Sequence, residues 1–418
     1  MPRIFCIFAA NNRPMGLKAR IRSYRNIITR PILLVSLVSF FNDIGSELLY
    51  PVMPVFLSSV GFSVVLIGLL EGLAEATAGI SKGYFGNLSD QTGRRVPFIR
   101  FGYLLSALAK PLLVAFTWVW WIFAVRTADR LGKGIRSSAR DALLSDETSP
   151  ENKGKVFGFH RAFDTLGAAI GPSIALLYLW VNPEDYKTLF LLAIIPGVGS
   201  VLLTFFLKDK QRPDRPAKSR TGFLGFLKYF PKASKDYKLL IAGLLFFALF
   251  NSSDAFLLLG LKESGLDDVR MIGYYIFYNL VFALTAFPMG VIADKAGLHK
   301  TLIAGILVFA VVYTGMGMAS VSVHFIVLFA LYGLYAAATD GVSKALITNH
   351  CRREETATGL GLYNALASIV TLISSSLAGL VWFAFGAKTM FIIAGTGALI
   401  SALYLTIILR KKSGMKTG

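Results

Sequence analysis

Apolar runs of about twenty residues recur from one end of this chain to the other, and a run of that length crosses the hydrocarbon core of a bilayer as a helix. The 418 residues are 55% hydrophobic and only 16% charged, against about a quarter charged in soluble domains. Mean hydropathy is +0.60. The sequence therefore predicts an all-α, polytopic membrane protein. Twelve spans are expected, at 32–58, 64–86, 97–118, 119–143, 156–180 and 187–207, then 239–261, 271–293, 300–320, 324–347, 357–384 and 387–409.

The net charge of +19 would suggest nucleic acid in a soluble protein; here the cations sit in loops. Arg94 and Arg95, Lys153 and Lys155, Lys295 and Lys300, and Arg352 and Arg353 fall on the side of the N-terminus. The opposite loops hold Lys187, Lys262, Arg270 and Lys388, mostly beside acids. Lys and Arg concentrate on the cytoplasmic side of inner membranes, so both termini are expected inside, with a lipid bilayer and no nucleic acid as surroundings. The expected organisation is a basic tail (1–31), a six-helix bundle (32–207), a basic linker on the inner leaflet (208–238), a second six-helix bundle (239–409) and a cytoplasmic tail (410–418). A short amphipathic helix is expected near Phe223–Phe230. Cys6 and Cys351 are the only cysteines and the four histidines are scattered, so no disulfide framework, metal site or cofactor is expected.

One span breaks the apolar rule. Arg126, Arg130, Lys133, Ser137 and Arg140 recur every three or four residues directly after Trp118–Val125, a spacing that stacks them on one helical face. A charge at bilayer depth costs roughly 3 kcal/mol or more, so this face must meet water, opposite charge or a bound anion. Asp43, Glu47 or an anion are the expected partners.

The chain also repeats itself. Gly86-Asn-Leu-Ser-Asp90-Gln-Thr-Gly93-Arg-Arg95 returns as Gly290-Val-Ile-Ala-Asp294-Lys-Ala-Gly297-Leu-His-Lys300 at an offset of 204 residues. Gly158-Phe-His-Arg-Ala162 matches Gly361-Leu-Tyr-Asn-Ala365 at an offset of 203. Two parallel six-helix repeats about an axis normal to the membrane are a transporter design. The first decapeptide resembles the cytoplasmic loop signature of the major facilitator superfamily, and its degenerate copy stands where that family repeats it. In the family the loop latches the two halves in one conformation, a role the resemblance carries to Gly86, Asp90, Gly93, Arg94 and Asp294. Arg130-Leu-Gly-Lys133-Gly134 is similar to the family's R-x-x-Q-G element, associated with proton transfer, with Lys133 where glutamine is usual. Gly167-Ala-Ala-Ile-Gly171-Pro172 resembles the helix-packing element of antiporters, although Ala175 and Leu176 replace its closing glycines.

The resemblance implies that spans one, four, seven and ten surround a central cavity. Each carries acid: Asp43 and Glu47, Asp129, Asp254 and Asp340. Carboxylates in a low-dielectric site can take up and release protons near neutral pH. Asp43, Glu47, Arg130, Asp254 and Asp340 are the candidates for proton coupling; the alternative is a permanent ion pair of Asp43 or Asp129 with Arg130. Arg126, Asp129, Arg130, Lys133, Asn251, Tyr332 and Asn364 are the candidates for binding substrate. His160, at the inner end of span five, reads as a hydrogen-bonded polar residue. The expected function is secondary transport by alternating access in the inner membrane by a monomer, as proton-coupled efflux of a small organic solute with an anionic group. Proton-coupled uptake of an organic anion, siderophore or sugar-like metabolite is the alternative, and a non-transporting receptor a weaker one. Neither a catalytic motif nor an ATP-binding loop is present, so an enzyme is not expected.

Overall fold

The computed structural model describes residues 27–413 except 51, 63, 210–221, 267 and 320. The basic tail up to residue 26, the middle of the linker and the end of the C-terminal tail lie outside the described residues.

Helices account for all the regular structure among the described residues. In the first half they are α1 (Arg30–Leu49), α2 (Val64–Thr92), α3 (Val96–Leu112), α4 (Val119–Asp146), α5 (Lys153–Val181) and α6 (Ile194–Thr204). A short helix, Met53–Ser59, extends α1, and Tyr186–Leu192 leads into α6. The second half holds α7 (Lys235–Ala248), α8 (Asp268–Ala296), α9 (Leu298–Met316) and α10 (Ser322–His350). Its last two spans, α11 and α12, are the arms of Thr356–Ser413 on either side of Gly386, which breaks the helix at φ 82° and ψ 163°. A positive φ is open to glycine at no steric cost, so one residue suffices to turn the chain.

Two spans expected to be continuous are interrupted. Span one stops at Leu49 and resumes at Met53, where the sequence places Pro51 and Pro54; proline removes a backbone donor. Span seven stops at Ala248 and resumes as Ala255–Glu263. Between them lies Asn251-Ser-Ser-Asp254, four polar side chains that compete with the helical ladder for backbone groups. The Ser253 amide donates to Ser375 Oγ at 3.1 Å and Asn251 Nδ2 to Tyr335 Oη at 2.9 Å, so the broken segment is held by its neighbours.

The two halves are built differently. The second has one continuous apolar core running from Tyr237 to Leu405. The first has two, one around Leu57, Leu113 and Phe190, the other around Ile32, Ile99, Tyr103 and Phe157. A layer of charged side chains on α3, α4 and α5 separates them. Close helix contacts carry this layer: a Cβ on Gly171 would stand 2.7 Å from Ile44 O, so glycine lets α5 lie directly against α1. The halves meet along α2 with α11 and along α5 with α8 and α10, and these crossings cluster at the end carrying the loops at Gly93 and Gly297, here called the inner end.

Part of the linker sits there too. Gly225–Lys228 forms a 3-10 turn and Tyr229–Lys232 one helical turn. Phe223, Leu224, Leu227 and Phe230 point outward, whereas Phe226 and Tyr229 are buried. The Phe226 ring lies against Gly83 of α2 and Tyr229 against Gly359 of α11.

Candidate functional site

Between the halves lies a cavity of about 380 Å³ lined by α1, α2, α3, α4 and α5 from one side and α8, α10 and α11 from the other. Its wall is ionic on the first-half side, with Lys82, Lys110, Arg126, Arg130, Lys133, Arg136, Arg140 and Arg161. The second half supplies Tyr275, Tyr278, Asn279, Asp340, Lys344 and Asn364. Sorting these charges by partner separates three groups.

The first group is at the outer part of α4. Arg126 forks onto Glu71, its Nε and Nη2 donating at 2.9 and 3.0 Å, and its Nη1 reaches Asp129 at 3.4 Å. Arg130 Nη1 stands 3.4 Å from Glu75 and its Nη2 3.9 Å from Glu71. Apart from Asp129 on α4 itself, the acids that meet these arginines come from α2, and the expectation that Asp43 or Glu47 would do so is corrected. Asp129 pairs with Arg126, not Arg130. Glu71 and Glu75 were visible in sequence as acids four apart in an apolar run, the spacing that puts both on one helical face.

The second group is a closed ring of alternating charges in the cavity wall. Arg140 Nε donates to Asp141 at 3.1 Å; Asp141 meets Lys344 Nζ at 3.2 Å; Lys344 lies 3.9 Å from Asp340. Asp340 meets Arg161 Nε at 2.5 Å, Arg161 Nη1 donates to Asp164 at 2.6 Å, and Asp164 returns to Arg140 Nη1 at 3.6 Å. Three carboxylates and three cations close on themselves with no net charge. Lys344 and Asp340 belong to α10 and the other four to α4 and α5, so the ring crosses the gap between halves twice. His160 is buried beside these residues, yet among the described residues neither ring nitrogen has a hydrogen-bond partner, against the expectation of a satisfied polar side chain.

The third group has no ionic partners among the described residues. Lys110 Nζ donates to Ser106 O at 3.2 Å, and Arg136 Nη1 to Ser106 Oγ at 2.8 Å with its guanidinium over the Tyr103 ring. Lys82 and Lys133 line the cavity without an acid in ion-pair range. Asp43 accepts from Asn42 Nδ2 at 2.9 Å and shares a hydrogen bond with the Asp164 carboxyl, and Glu47 accepts from Tyr275 Oη at 3.4 Å. Lys82 was visible in sequence beyond Glu71 and Glu75 on span two; Lys110 was not picked out, and its standing as a lone cation in an apolar run is the signal that could have found it.

Not every expected residue reaches the cavity. Arg126, Asp129, Arg130, Lys133 and Asn364 line it. Asp254, Tyr332 and Asn251 do not: Tyr332 and Tyr278 donate to Asp254 at 2.6 and 3.2 Å, and Asn251 is turned toward Tyr335. The break in span seven turns these side chains into the second half's core. Of the glycines on α5, Gly167 and Gly171 pack on α1 between Phe40 and Leu48, and Pro172 lies inside the helix.

The two repeated loops exchange helix caps. Asp90 accepts from the backbone and hydroxyl of Thr358, at 2.6 and 2.7 Å, in the first turn of α11, and pairs with Arg95 at 2.5 Å. Asp294 accepts from the Gly154 and Lys155 amides, both at 2.8 Å, in the first turn of α5. Each aspartate thus satisfies orphan donors of a helix in the opposite half. Gly86 lies against Ala357, and Gly93 turns the chain at φ 66°.

The Major Facilitator Superfamily family model matches residues 35–278 and 269–417. The chain belongs to that superfamily. An uncharacterized MFS-type transporter of Methanocaldococcus jannaschii is 32% identical over 388 residues, 91% of this chain and 95% of the relative. Citrate exporter 1 of Aspergillus niger is 26% identical over a shorter stretch, 44% of this chain and 34% of the exporter. The crystal structure of the human organic anion transporter MFSD10 shares the fold, with a TM-score of 0.77 at 17% identity over 90% of this chain and 99% of that one. As a superfamily member the chain is a multi-pass membrane transporter and not an enzyme.

Proposed function

We propose that this superfamily member moves a small organic anion across the inner membrane by alternating access, coupled to protons, as a monomer with both termini in the cytoplasm. The observation that carries the reading is the set of cations in the cavity wall, Lys82, Lys110, Lys133 and Arg136, with no carboxylate in ion-pair range among the described residues. A cation held away from bulk water without a counter-charge is costly, and a bound carboxylate or phosphate supplies that charge. Asp43 and Glu47 are the proton carriers in this reading, because neither is committed to a permanent ion pair. Efflux is the direction supported by the Gly167–Pro172 element and by the similarity to a citrate exporter.

Symport is a second reading, and one observation favours it. Asp43 and Glu47 share the cavity with the unpaired cations. Protonating either acid removes a negative charge that repels an anionic solute, so proton and anion binding assist each other by linkage. Reconstitution in proteoliposomes tests both. Imposed pH gradients should drive accumulation of a carboxylate, with the gradient's sign giving the direction. In the Asp43→Asn, Glu47→Gln double variant, gradient-driven accumulation should vanish while solute exchange persists. Accumulation that survives in that variant moves the proton site elsewhere.

A further inference from the structure

We propose that the cavity takes a solute with two separate anionic groups, of the size of a small di- or tricarboxylate, one group held by Lys110 and Arg136 and the other by Lys82 and Lys133. The inference rests on the anion reading above and narrows it. The helix crossings place these cations in two pairs. On one flank of α4, Gly132 lies against α3, where a Cβ would stand 2.7 Å from Ser106 Oγ. Lys110 and Arg136 both donate to that serine, one to its carbonyl and one to its hydroxyl, so two cations converge on a single neutral residue. Both are buried, at 3% and 5% exposure, and both line the cavity. On the other flank, Gly134 lies against Ser81 and Ala78 of α2, and Lys133 and Lys82, each adjacent in sequence to this crossing, face the same cavity.

Charge bookkeeping points to the same class. The ring is neutral by itself. Of the remaining residues in the wall, four cations stand without acids against two carboxylates without cations, Asp43 and Glu47. The surplus is two positive charges. The cluster of Arg126 and Arg130 with Glu71, Glu75 and Asp129 has one more acid than cations, which leaves one positive charge in excess over all, but its acids lie in ion-pair range of Arg126 and Arg130 and of neither cation pair. A monoanion would leave one flank unmet. A dianion of few carbons fits a cavity of about 380 Å³ and offers one charge to each flank.

The test uses the full-length protein in lipid nanodiscs at low salt, titrated calorimetrically with dicarboxylates of three to six carbons, citrate, and the monocarboxylates of matching chain length. The best di- or tricarboxylate should bind at least about tenfold more tightly than its matched monocarboxylate. Lys110→Gln and Lys133→Gln should each weaken the best di- or tricarboxylate at least about tenfold and remove most of that preference. Lys133→Gln, on the cavity wall and only half-buried, guards against loss of folding at Lys110. Matched acids that bind equally in the wild type, or a preference that survives both substitutions, overturn the two-anion inference and leave the anion reading standing. If no acid of either kind binds while neutral or cationic solutes do, the anion reading itself falls.

Discussion

At the scale of single residues, the six-charge ring makes the clearest energetic statement. Asp141 holds two partners, Arg140 in its own half and Lys344 across the gap. Removing one member of a buried pair leaves an uncompensated charge and costs about 3 kcal/mol or more, whereas removing both members is far milder. Asp141→Asn should therefore lower the melting temperature in detergent sharply, and adding Lys344→Met should recover a substantial part of the loss. A double variant that melts as low as Asp141→Asn alone would show that the two charges are not coupled. The row on α4 was legible in sequence, because a 3–4 spacing of cations inside an apolar run has few explanations. Its partners were not. Glu71, Glu75 and Lys344 lie on other helices, and nothing local to Arg126, Arg130 or Asp141 specifies which helix will pack against them. Likewise Asp254 and Tyr332 were recognisable as polar residues at membrane depth, but the break that turns them away from the cavity depends on how four consecutive polar residues, Asn251 to Asp254, find tertiary partners.

At the scale of elements, Asp90 and Asp294 act as caps on helices they do not belong to. Each joins a loop of one half to the first turn of a helix in the other, and an acidic cap at a helix N-terminus contributes about 1 kcal/mol. The repeat at a fixed offset was readable from the sequence, since equal spacing of Gly, Asp and Gly in two halves is hard to produce otherwise. That the caps cross between halves was not readable, because it requires the two repeats to face each other. Asp294→Ala should weaken the closed inner end by about 1 kcal/mol without unfolding either half. Expected in consequence is faster modification of a cysteine introduced at Ser137, which lines the cavity, by a membrane-impermeant thiol reagent applied to the inner side in a Cys6→Ser, Cys351→Ser background. An unchanged labelling rate would mean that the Asp294 cap contributes nothing to closure.

At the scale of the whole molecule, the halves divide the labour: the first carries the charged wall and a core split in two, the second a continuous aromatic core. What holds them together is concentrated at the inner end, where α5 crosses α8 at Gly154 and Gly290 so closely that a Cβ on Gly158 would stand 3.2 Å from the Gly290 Cα. The ring and the exchanged caps lie at that same end. When the halves part there, Lys344–Asp340 leaves with the second half and Arg140–Asp141–Asp164–Arg161 stays with the first, so each fragment is neutral by itself. Opening then costs two ion pairs and two caps but strands no net charge, which keeps the closed and open forms within reach of each other. Steric contact at the glycine crossing becomes the term that can be altered without touching charge. Gly290→Val adds three carbons where α5 and α8 have no room, yet it leaves both repeats' own cores intact. The expected result is a folded protein with near-normal melting behaviour whose inner end is held open and whose transport falls by at least about tenfold. Spin labels on exposed Ser149 and Lys300, which lie on opposite halves at the inner end, would report it as a longer distance distribution. If that distribution is unchanged while transport is lost, the crossing is not what closes the inner end, and closure must rest on the ring and the caps alone.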